Sequence, residues 1–87
     1  MSSFDTWLNF FMIDNNLSMA DTVYEGIVNG QMKHVTYREF FEAIKPYPMI
    51  EDRVRNDLSV ALYTGGSFNS VLSKICEEEL IDRGHPV

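Results

Sequence analysis

The chain has 87 residues, 45% of them hydrophobic and 23% charged, a composition that fits a small folded domain and argues against disorder. Thirteen acids against seven bases leave a net charge of −6, which disfavours general binding to nucleic-acid phosphates or to anionic membranes. This length holds one domain, so residues 1–87 read as a single unit; the one cysteine, Cys76, excludes an internal disulfide and points to a reducing, cytoplasmic setting.

In chain order, Ser2 or Ser3 can cap a first helix over about residues 3–14, with Asp5 in its first turn where the helix dipole favours negative charge. Phe4, Trp7, Leu8, Phe11 and Met12 share one apolar arc, while Phe10 and Ile13 fall outside it. Those two read either as a second buried side or as a patch for a partner or a second copy. The same stretch lacks a basic n-region, and its longest apolar run, Phe10 to Ile13, is too short for a signal peptide or a membrane span.

After Asn15 and Asn16, the region 18–30 supports two readings. Ser18 and Asp21 repeat a cap spacing, Met19, Val23 and Ile27 follow at four-residue intervals, and Gly30 would close a helix. Against this, Asn29-Gly30 between two stretches rich in Val, Ile, Thr and Tyr is a strong hairpin signal, with strands at 22–28 and 31–36. The caps favour the helix.

The segment Thr36 to Pro48 has the most consistent local signals. Thr36 and Glu39 form a capping box, Tyr37, Phe40, Phe41 and Ile44 make one dense apolar face, and Pro46 and Pro48 end the helix. A helix this short depends on tertiary packing and should centre the core. A further helix over about residues 50–63 places Ile50, Val54, Leu58, Ala61 and Leu62 on one side and Tyr63 off it. The ion pairs Glu51–Arg55 and Arg53–Asp57, worth about 0.3 kcal/mol each, fall on the other side. Thr64-Gly65-Gly66-Ser67 ends that helix and caps the last, over about residues 68–83, whose core face carries Phe68, Val71, Leu72, Ile75 and Cys76. The fold expected is therefore an all-α bundle of about five short helices, with an α+β hairpin fold as the alternative.

Two features stand out as candidate binding residues. Glu77, Glu78, Glu79 and Asp82 crowd a helix C-terminus, where the dipole is already negative, and Glu79 falls within the apolar arc; Ile81 lies beside them. They read as a solvated overhang or as an acidic surface for a basic partner. Phe10, Ile13 and Tyr63 form the apolar set. Residues 50–83 also invite comparison with a helix-turn-helix, Asn69 and Lys74 facing bases, but the three glutamates oppose contact with phosphates. No metal-ligand, nucleophile-elbow or phosphate-loop motif is present: His34 and His85 stand alone, and Cys76 reads as a buried apolar residue. The expectation is a non-enzymatic protein without cofactor or metal that binds another protein, one with a basic surface or a second copy of itself. Small size, acidity and surplus apolar residues resemble, as a type, regulators and inhibitors that dock on a larger machine, including phage and mobile-element inhibitors and DNA mimics.

Overall fold

The computed structural model describes residues 3 to 87, so a cap at Ser2 lies outside the described residues. Four helices and one antiparallel hairpin follow in the order α1 (Ser3–Asp14), β1 (Thr22–Val28), β2 (Gln31–Thr36), α2 (Tyr37–Ile44), α3 (Pro48–Thr64) and α4 (Phe68–Cys76), and α4 runs on into a π-helical turn at Glu77–Ile81. The fold is α+β. The all-α bundle is overturned at residues 18–36, where a hairpin replaces the expected helix.

The turn chemistry explains that outcome. Asn29 and Gly30 both adopt positive φ, 54° and 80°, as a two-residue hairpin turn of the I′ kind requires. Ser18 caps no helix; its hydroxyl accepts from the Ala20 N–H at 3.2 Å in a tight turn. A helix would have buried Ile27, which instead is exposed beside Met32 on the open face of the hairpin. The register slips between Thr22 and Tyr24, and this bulge lets the consecutive residues Val23 and Tyr24 both turn inward, where a regular strand would send one to each face. Gly26 completes the arrangement by close approach. A Cβ there would stand 2.6 Å from the Tyr24 hydroxyl, so the bare backbone is what lets the ring lie along its own strand.

The hairpin and α2 are joined without a loop, and α2 begins with its orphan N–H groups accounted for. Tyr37 and Arg38 donate to the carbonyls of Asp21 and Met19, each at 3.0 Å, and Glu39 donates to the Thr36 hydroxyl at 3.2 Å. Glu39 in turn accepts from the Thr36 N–H at 3.0 Å, which closes the capping box anticipated from the sequence. The apolar face so positioned is the centre of the core: Tyr37, Phe40, Phe41 and Ile44 are all buried, against Val54 and Leu58 of α3 and Leu72 and Ile75 of α4.

Three helix ends share one device. Leu17, Gly66 and His85 donate to the carbonyls of Met12, Ala61 and Leu80, five residues back, and the residue before each donor is left-handed: Asn16, Gly65 and Gly84. Pro48 begins α3 and does not merely stop α2, because at the first helical position its missing N–H is no loss.

Candidate functional site

Two surfaces contain the residues singled out from the sequence, and they differ in how much of each is already used inside the chain. At the end of α4, the backbone widens: Asp82 donates to the Glu77 carbonyl at 2.8 Å, five residues back. The extra residue per turn keeps Leu80 buried in line with Ile75 and Cys76 and moves Glu79 to the flank. There it meets Arg53 of α3. The guanidinium donates to Glu79 at 2.9 Å, to Glu78 at 2.7 Å and to Asp57 at 3.3 Å, and Arg83 stands 3.5 Å from the second oxygen of Glu79. Glu79, which regular helix counting puts on the apolar arc, thus has its partner within the chain.

The other acids of the cluster point elsewhere. Glu77 and Asp82 are exposed and lie on the hairpin side, near enough to Tyr24 to act on its hydroxyl. Burial chiefly, with help from Glu77, Cys76 and Asp82, raises the Tyr24 pKa, so the ring stays a neutral phenol. Ile81 is half-buried against the core and lines a groove of about 430 Å³ with Met32 and Lys33 of the hairpin. The four acids and Ile81 do not form one face.

The second surface is apolar. Phe10 is 64% exposed, Ile13 73% and Tyr63 90%, so the first two do not form a second buried side of α1. Sequence counting missed Leu62. Assigned to the buried stripe of α3, it is 60% exposed and lines a groove of about 310 Å³ with Trp7, Phe10, Phe11 and Asp14. The signal was its place at the edge of that stripe, one step beyond Ala61. Tyr63 does not line the groove; its exposure puts it on the outer ridge of α3.

Aromatic packing holds α1 in place: Phe4 meets Phe41 edge-on with centroids 6.5 Å apart, Phe11 meets Phe68 at 5.0 Å, and Trp7 stacks on Phe11 at 5.3 Å. Arg55 does not pair with Glu51 but lies over the Trp7 ring, 5.4 Å from its centroid, while Arg53–Asp57 forms as expected. The neighbours fix a direction. Asp5 acts on Glu51, whose pKa burial and then Asp5 raise, Trp7 sits by Arg55, and Phe10 shares a groove with Leu62; α1 and α3 therefore run side by side in the same sense.

Among the described residues no charged side chain is buried, and no three His, Cys, Asp or Glu side chains are placed to hold a metal ion. Tyr47 and His85 share a hydrogen bond of 3.2 Å. Asn69, the residue a helix-turn-helix would turn toward bases, donates to the Tyr37 hydroxyl at 2.7 Å and the Thr22 carbonyl at 3.3 Å. Among the described residues no helix is long and apolar enough to cross a membrane. The chain matches no protein-family model, no curated protein and no solved structure.

Proposed function

We propose that the chain is a small acidic docking module, regulatory or adaptor in role, that binds protein through the apolar face shared by α1 and the end of α3. The observation that carries this reading is the exposure of Phe10 and Leu62 on a groove they line with Trp7 and Phe11, with Ile13 exposed one turn beyond Phe10 on α1. An apolar cluster left open in so small a domain, with aromatic walls and a polar rim, is the anatomy of a protein-binding hot spot. The acidic end of α4 supports docking less well, because Arg53 already compensates Glu78 and Glu79. Nucleic-acid reading by residues 50–83 gains no support, since Asn69 and Arg53 are both engaged within the chain. The net charge of −6 then acts mainly on partner choice and association rate.

The test is comparative capture from nuclease-treated lysate on immobilised wild type and on a Phe10→Asp/Leu62→Asp double variant, with thermal unfolding of both recorded. The expectation is a protein retained by the wild type through a high-salt wash and lost from the variant, at nearly equal unfolding midpoints. Equal retention by both would remove the α1–α3 face from consideration. Loss of all retention in high salt would return attention to Glu77, Asp82 and a basic partner.

A further inference from the structure

We propose that the occupant of this face is a second copy of the chain, α1 lying antiparallel on its counterpart across a two-fold axis near Phe10, with Asp14 of each copy paired to Arg55 of the other. The proposal rests on the reading of the α1–α3 face as the docking surface and adds what covers it.

Charge at the rim of the groove selects the partner. Asp14 lines one end, and Arg55, over Trp7, stands at the other. Both are exposed, and among the described residues neither forms an ion pair. Most other bases are occupied: Lys33 donates to the Val87 carbonyl, Lys45 to Glu42, Arg53 to its three acids, and Arg83 meets Glu79. A chain of charge −6 would surround a general docking face with acids, yet the groove lining holds a single acid, Asp14, and a base, Arg55, lies over its Trp7 end. A two-fold axis brings residue i against j and j against i, so one acid and one base on opposite sides of the axis are both satisfied by a copy of the same surface.

The spacing agrees. With a rise of about 1.5 Å per residue, Asp14 lies about 6 Å beyond Phe10 along α1 and Trp7 about 4.5 Å before it. Antiparallel pairing about Phe10 therefore sets Asp14 opposite residues 6 and 7 of the other copy, where Arg55 lies over the indole. Because α1 and α3 run in the same sense, Leu62, seven residues beyond Arg55, falls toward the Asp14 end of the groove, and Phe10 supplies the apolar area at the axis.

Sedimentation over about 5 to 500 µM at about 0.15 M salt, where charges more than about 8 Å apart are largely screened, tests this. The wild-type mass should climb from the 10.0 kDa of one chain toward twice that. Asp14→Arg and Arg55→Asp should each raise the dissociation constant by about tenfold or more, and the two together should restore it. Circular dichroism confirms that each variant is folded; should a reversal unfold the chain, Asp14→Asn and Arg55→Gln replace the reversals and should each weaken pairing. A wild type that stays at 10.0 kDa throughout overturns the self-pairing, while the capture experiment still decides the docking face independently. A dimer lost on Phe10→Asp but indifferent to the charge changes overturns the antiparallel arrangement, and a dimer indifferent to Phe10→Asp as well overturns both.

Discussion

Replacing Arg53 with Met removes the guanidinium that ties the acids of the π-helical turn to α3 and keeps an aliphatic stem there. The side chain is only 28% exposed, and of its three acids Glu79 is the most sheltered at 17%, Asp57 and Glu78 lying nearer solvent at 35% and 43%. Exposed pairs contribute about 0.2–1 kcal/mol each, and the long side chain loses rotamer entropy when held, so the three pairs together amount to about 1–2 kcal/mol. The variant also leaves Glu78 and Asp57 without their cation and Glu79 with Arg83 alone, at 3.5 Å. For a domain of this size about 1.5 kcal/mol lowers the unfolding midpoint by about 6–12 °C. The assay is urea denaturation followed by far-UV circular dichroism, run as a double-mutant cycle with Glu79→Gln. A coupling free energy of about 0.5 kcal/mol or more between positions 53 and 79 is expected, shrinking in 1 M salt. An Arg53→Met variant within about 0.3 kcal/mol of wild type, with no coupling, would show that the clamp holds nothing and that burial of Leu80 alone sets the turn.

The caps and the core set three further outcomes. Thr36→Ala should cost about 1 kcal/mol through loss of the N-cap, read from the same denaturation curves. The hydrogen bonds from the Thr36 backbone and side chain hold the Glu39 pKa below its ordinary value, so the acid's contribution is complete above the unfolded value and is lost as pH falls through the lowered one. The deficit of Glu39→Gln relative to wild type should accordingly be present at neutral pH and fade below about pH 4; a deficit that grows in acid would contradict the capping box. Burial, with Glu77 adding to it, pushes the Cys76 thiol up to about 12. At pH 8 a thiol reagent should therefore label it only as the native fold opens, one equivalent reacting at once in denaturant. A burst of labelling in native buffer would place Cys76 at the surface.

What was legible in the sequence was local. The Thr36–Glu39 box needs only residues three positions apart, and the glycine-stopped end of α3 and the capped start of α4 are written within single turns. Asn29-Gly30 was equally plain as a hairpin signal, but the spacing of Met19, Val23 and Ile27 suits a helix as well. What decides between them is distant in sequence: Val23, Tyr24 and Val35 find the core on one side of a bulged sheet, and the carbonyls of Met19 and Asp21 are needed by the start of α2. The π-helical turn left a trace as an acid on an apolar arc, since Glu79 is misplaced only if the helix stays regular. Leu62 could not be placed, because the width of α3 that is covered depends on how far α1 reaches, and α1 is set by rings on α2 and α4.

The way α1 is held has a consequence for motion. Its backbone makes few close approaches to any other element, and it is held through side chains, Phe4, Leu8 and Met12 in the core, Phe11 on Phe68 and Trp7 under Arg55. Tilting it by an ångström or two slides ring edges over one another and breaks no backbone hydrogen bond between elements, whereas moving α3 or α4 by as much would disturb the close-packed residues around Leu58 and Leu72. The apolar groove is therefore mounted on the element freest to adjust its pitch. In native-state hydrogen exchange the amides of α1 would open ahead of those of α2 to α4, and covering the groove would slow that opening together with binding.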